Sequence, residues 1–147
     1  MNTRKAPIQR KANEVEEKKE KELNSKIQCG NCHTPIMKTG NSTIQGLSNK
    51  TFAAYTDLLM HDMGKALDDN YTEGSAKTYE WRTTPLWGLG LSKDSQGGKI
   101  HLLHDGRAKS IDEAIVLHGG EAQKSRLQYS ALSAKEKQTL ITFLESL

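Results

Sequence analysis

Both cysteines of the chain fall within Cys29-Gly30-Asn31-Cys32-His33, and no other short segment restricts the possible folds so tightly. With the pair used locally, no cysteine remains to staple distant segments through a disulfide. Cys-x-x-Cys-His is the spacing of covalent haem attachment, in which two thioethers hold the vinyl groups and the adjacent imidazole binds iron. Two other chemistries use a Cys-x-x-Cys pair. A thioredoxin-like redox pair needs a surrounding βαβ pattern, which the flanking residues do not supply. A zinc site needs further ligands, and only distant histidines could complete a Cys2His2 set here. The expected cofactor is therefore one haem c, covalently attached.

A macrocycle also answers a deficit in composition. Leu, Ile, Val and Phe total 28 of 147 residues, and the mean hydropathy is −0.70. A chain so lean in aliphatic side chains needs another source of buried apolar surface, while a net charge of only +3 argues against a charge-driven disordered chain. Charge is also unevenly spread. Residues 1–28 hold eight Lys/Arg against five Asp/Glu, so the basic excess belongs to this stretch and the remainder is neutral. Glutamates precede lysines by four at Glu14/Lys18, Glu17/Lys21 and Glu22/Lys26, the favourable orientation for helical ion pairs. The pattern predicts a charged, partly helical extension over 1–26 that docks near Leu23 and Ile27, followed by a single-haem domain over 27–147. Lysines alternating with glutamates, with no aromatic residue among them, do not make a nucleic-acid-binding face. No run approaches the roughly eighteen apolar residues of a membrane span. Because haem c is attached outside the bacterial cytoplasm, the chain is expected in the periplasm or another exported location, although no charged-then-apolar leader precedes the domain.

Two helices are marked by their caps. Ser110 with Glu113 forms a capping-box pattern, Ala114, Ile115 and Leu117 continue it, and Gly119-Gly120 supplies a left-handed stop after His118. Ser133 with Glu136 repeats the pattern ahead of an apolar stripe of Leu140, Ile141, Phe143, Leu144 and Leu147. A weaker helix is expected from Phe52 to Met63, stopping at Gly64. Between Gly64 and Lys109 neither period is sustained, so no β-sheet is expected and this long segment reads as wrapping something other than protein. The predicted fold class is all-α with long irregular loops around the haem.

The group on the second face of the iron decides what the haem does. Candidates are His61, His101, His104, His118, Met37, Met60 and Met63. Met37, four residues beyond His33, is too close in sequence to reach the opposite face. His118 is the best placed, at the end of a capped helix on the side of Ala114 and Ile115, with glycines following. A histidine there is also favoured by the helix dipole alone, and for Met60 and Met63 ordinary core packing is the competing explanation.

Four ordered segments carry a resemblance: Cys29 to His33, Tyr55 to Gly64, Glu80 to Gly90, and Leu103-His104-Asp105-Gly106-Arg107-Ala108. Together they resemble the C-terminal haem domain of the bacterial di-haem cytochrome c peroxidase superfamily, nearest to the di-haem oxidoreductase branch also labelled thiol oxidoreductases. The resemblance runs from about Ile27 to Leu147. It implies a cytochrome c-like fold whose second ligand comes from the helix after His-Asp-Gly, a slot held here by His118. A His33/His118 pair implies a six-coordinate, low-spin haem of lower potential than a His/Met one. Trp81 and Trp87 are then expected against the macrocycle, and Arg82 or Arg107 beside a propionate. Related peroxidases bind calcium partly through backbone carbonyls matching Thr83 and Pro85, so calcium is a further, weaker implication. His104-Asp105-Gly106 is expected to fix the loop before the ligand helix.

The departure from the family pattern shapes the functional expectation. Family members carry two haem domains, whereas this chain carries one motif. The expected function is therefore an exported cytochrome domain passing single electrons between redox protein partners. The rival is an enzyme, peroxidase-like or thiol-oxidising, or the relay half of a di-haem enzyme.

Overall fold

The computed structural model describes residues 9, 10, 22, 23, 25–72 and 74–147. Most of the predicted N-terminal helix lies outside the described residues. Where it is described, at residues 22, 23, 25 and 26, the chain is helical, and Leu23 and Ile27 are buried as their isolated apolar character predicts.

The fold is mixed, not all-α. Two small antiparallel sheets are present: β1 (Met37–Lys38) pairs with β2 (Thr51–Phe52), and β3 (Met60–Asp62) pairs with β4 (Glu80–Arg82). Strands of two or three residues are shorter than the alternation that would reveal them, which is why the sequence shows no period there. In the second sheet His61 faces Trp81 across the register, between the Met60/Arg82 and Asp62/Glu80 pairs.

The expected helix from Phe52 to Met63 does not form. Tyr55 and Leu58 stand at φ +53° and +62°, left-handed conformations that no α-helix contains. Side chains of the segment account for this. The Thr56 hydroxyl accepts from the Leu58 amide at 2.9 Å, and the Asp57 carboxylate accepts from the Leu59 amide at 2.9 Å. These local bonds offer the backbone an alternative to the helical ladder.

The remaining α-helices lie C-terminal to the sheets. A single turn, α1 (Ser92–Ser95), precedes α2 (Ile111–Leu117), α3 (Gln123–Ser130) and α4 (Ala134–Ser146). Ser110 caps α2 by accepting from the Glu113 amide, but Glu113 reaches back to the Lys109 amide instead of to Ser110. At α4 the capping box of Ser133 and Glu136 is complete. Helix α3 has no sequence signature: it runs on from a 3-10 turn at Gly120–Ala122, lacks a side-chain cap and buries only Tyr129. The Tyr129 hydroxyl donates to Asp112 at 2.6 Å and so ties α3 to α2.

The core sits under α4. Leu140, Phe143, Leu144 and Leu147 pack with Ile27, Tyr55, Ile111 and Tyr129, and the Tyr55 and Phe143 rings meet edge to face at 5.7 Å. The long segment from 64 to 109 is tied to the rest of the fold by backbone bonds such as Gly88 N to Leu147 O at 2.8 Å and Leu86 N to Ala54 O at 3.1 Å, and the Leu102/Ala108 bridge closes part of it on itself.

Candidate haem site

Cys29 to Asn31 form a 3-10 turn entered through Gln28 at φ +64°, and the His33 amide donates to the Cys29 carbonyl at 2.9 Å. This turn places Cys29, Cys32 and His33 on the wall of one cavity of about 470 Å³. The remaining walls are largely apolar, with Trp81, Leu86, Trp87, Ile111 and Ile115 among them. Nδ1 of His33 donates to the Tyr55 carbonyl at 3.1 Å, which assigns the tautomer and leaves Nε2 with its lone pair. Burial holds the His33 pKa down to about 4, so the ring is neutral. Both thiols are free. Burial pushes the Cys29 thiol up to about 11, and burial together with the charges of Asp57 and Glu121 raises Cys32. Protonated thiols of this kind are poor material for a thiol-redox pair, which depends on a depressed thiol pKa.

His118 lines the same cavity. It is the first residue beyond α2, with extended backbone, so the helix stops one residue earlier than its sequence suggests. Its Nδ1 donates to the Ala114 carbonyl at 2.6 Å, repeating the arrangement at His33, and burial lowers its pKa. The expected left-handed stop is shifted too: Gly119 is extended and Gly120 takes the positive φ, +50°.

The other predicted residues divide. Met63, His101 and His104 line the cavity, whereas Met60 is not on its wall and is 47% exposed. Trp81 is fixed by a bond from its indole nitrogen to the Leu67 carbonyl at 2.8 Å and stacks on His104, centroids 4.8 Å apart. His104 in turn donates from Nε2 to the Arg82 carbonyl at 2.8 Å, so it does brace the loop before α2. Trp87 packs on Phe52 at 5.6 Å. Arg82 lines the cavity and is exposed. Arg107 is not on the wall: its guanidinium is engaged by Asp105 and by the Ala66 carbonyl. The Thr83 carbonyl, implicated in calcium binding by resemblance, accepts the buried Thr56 hydroxyl at 2.7 Å.

One feature escaped the sequence reading, which weighed His61 only as an iron ligand. His61 bridges two carboxylates, with Nε2 donating to Asp57 at 2.9 Å and Nδ1 to Glu121 at 2.8 Å. Two donors on one imidazole require the protonated ring, and the bond from Glu121 accordingly raises its pKa, with Asp57 adding to the effect. Nδ1 also lies 3.7 Å from the Cys32 sulfur. Ligand atoms of Cys32, Asp57 and His61 fall within 4.8 Å of one another, but both ring nitrogens of His61 are already taken by the carboxylates. Asp57, four residues before His61, was a visible partner; Glu121, sixty residues away, carried no local signal.

Two neutral imidazoles with Nδ1 anchored, two thiols and an aromatic, aliphatic wall fit a haem. The fold and site together define a haem-linked redox protein. The family described as "Di-haem oxidoreductase, putative peroxidase" matches residues 1–147, and the chain belongs to that family. Its fold is similar to that of hydrazine synthase from Kuenenia stuttgartiensis in a structure pressurized with 20 bar xenon, at 18% identity and a TM-score of 0.51. That likeness covers 97% of this chain and 50% of the other, so the chain spans half the length of the structure it matches. No curated protein matches the chain.

Proposed function

We propose that the chain is an exported c-type cytochrome domain that passes single electrons between redox protein partners in the periplasm. One haem is held through Cys29 and Cys32, with His33 and His118 as its axial ligands. The observation that carries this reading is the matched anchoring of the two imidazoles, each with Nδ1 on a backbone carbonyl and Nε2 left as the donor atom, on the walls of one cavity. When bound, the haem supplies an iron that alternates between ferric and ferrous states and so stores one electron.

The chain's own residues do the rest. Tyr55 O and Ala114 O hold the two rings in one tautomer, so little rearrangement accompanies a change of charge. Trp81 and Trp87 wall the cavity and lower its dielectric, and Arg82, with Lys124 and Arg126, is a cavity-lining cation suited to a propionate. With His33 and His118 both bound to its iron, a haem held here would leave no site for peroxide.

A second reading rests on the family's di-haem description set against the single Cys-x-x-Cys-His motif. In it the chain is the relay half of a two-haem oxidoreductase, and peroxide or thiol chemistry belongs to the other half. Expression in a host that matures c-type cytochromes tests the main reading. The expected product keeps one haem per chain after acid-acetone extraction, and Cys29→Ser with Cys32→Ser abolishes retention. Haem released by extraction from the unaltered chain would contradict covalent attachment. Peroxide turnover by the isolated chain, comparable to that of a peroxidase, would displace the relay role.

A further inference from the structure

We infer that Glu121 and His61 are positioning residues that fix the His118 ring relative to the Cys29 to His33 turn. The inference rests on the functional reading above and deepens it. Three segments meet at this point. Residues 119–121, directly after His118, fold against 62–64 so closely that a Cβ on Gly119 would stand 2.8 Å from the Met63 carbonyl oxygen. A Cβ on Gly120 would overlap the Asp62 carbonyl outright. Glu121 then latches the contact with both oxygens: Oε1 accepts from the Asp62 amide at 3.1 Å and Oε2 from His61 Nδ1 at 2.8 Å. The His61 ring lies against the sulfur of Cys32, the residue next to His33, and is held from its far side by Asp57 at 2.9 Å.

A carboxylate–imidazole–carboxylate chain therefore ties the segment that carries one proposed axial ligand to residues 57–62, whose His61 ring meets Cys32 beside the other ligand. His118 itself is one residue past its helix and, among the described residues, has a single side-chain bond, to Ala114. That bond sets the ring's tautomer but leaves the backbone beyond α2 to be placed by something else. The Glu121 latch does so, and charge-assisted bonds to a bridged imidazole are among the stronger ways to place a loop. Met63, whose carbonyl the glycine segment touches, lines the same cavity, so a loosened latch also leaves a competing donor within the site.

The test uses the haem-loaded chain and reads the ferric spectrum and cyanide association, which a residue needed only for folding leaves unchanged in a folded variant. Glu121→Ala is expected to bind cyanide about tenfold faster or more, the consequence of losing a charge-assisted bond. Its low-spin EPR signal is expected to broaden or split. Glu121→Gln keeps an acceptor for the Asp62 amide but loses the charge-assisted bond to His61, and is expected to fall between the unaltered chain and Glu121→Ala. His61→Asn, too short to bridge both carboxylates, is expected to behave like Glu121→Ala and decides the matter should the alanine variant fail to retain haem. Unaltered cyanide association and EPR in folded Glu121→Ala, or in His61→Asn, would overturn the inference alone. An unaltered chain that is not bis-histidine ligated would remove the functional reading on which it rests, before any variant is compared.

Discussion

The Tyr55 carbonyl accepts the Nδ1 proton of His33 while the Tyr55 ring packs on Phe143 of α4, so the main core and the proposed axial ligand share one residue. Tyr55 reaches both partners through a left-handed backbone at φ +53°, a conformation held only by its surroundings. Phe143→Ala is expected to cost about 3–5 kcal/mol of unfolding free energy. It should also perturb the His33 side of the haem spectrum. Denaturant melts followed at both the helical and the haem signals would check this, and a destabilised variant with an unshifted haem spectrum would show the coupling to be absent.

His118→Ala is expected to leave a five-coordinate, high-spin ferric haem that binds cyanide and peroxide. The helix itself should survive, since α2 ends at Leu117 and its cap lies at Ser110. Circular dichroism and the visible spectrum together separate loss of a ligand from loss of the fold. A low-spin spectrum unchanged from the parent would take His118 off the iron and leave Met63, His101 and His104 as the remaining candidates on the cavity wall.

Gly120→Ala is expected to destabilise the chain by about 1–3 kcal/mol through backbone strain and overpacking. The added Cβ meets the Asp62 carbonyl, which is backbone and cannot swing away, and the residue stands at φ +50°. Gly88→Ala, also at positive φ but with open space around its Cβ, isolates the strain from the clash. Equal melting temperatures for the two variants would show that the close approach at 62–64 carries no weight.

Stability should depend on pH through His61, which bridges Asp57 and Glu121. His61 is raised by its bond to Glu121, so its contribution is complete below 6.5 and is lost as pH climbs through its raised value. Thermal melts across this range in the unaltered chain and in His61→Gln would test the assignment. The variant should lose the alkaline decline that the unaltered chain shows.

What the sequence disclosed follows from the range of the interactions involved. The Cys29 to His33 turn, the caps at Ser110 and Ser133 and the α4 stripe are local, and each stands where its residues predict. The same logic misjudged Phe52 to Met63, where apolar spacing suggested a helix and the side chains of Thr56 and Asp57 captured the backbone instead. The sheet between Met60–Asp62 and Glu80–Arg82 was invisible because three residues show no period. Helix α3 was missed because its one buried side chain, Tyr129, gives no stripe. At the site, the cavity-lining His118 was legible from a cap and a pair of glycines. The His61 to Glu121 bond joins residues sixty apart and exists only once the chain has folded.

The most direct test of the account is the low-temperature EPR and visible spectrum of the ferric, haem-loaded chain. Ligation by His33 and His118 predicts a fully low-spin signal without the far-red charge-transfer band of methionine-bound iron. High-spin iron, or the methionine band, would contradict it.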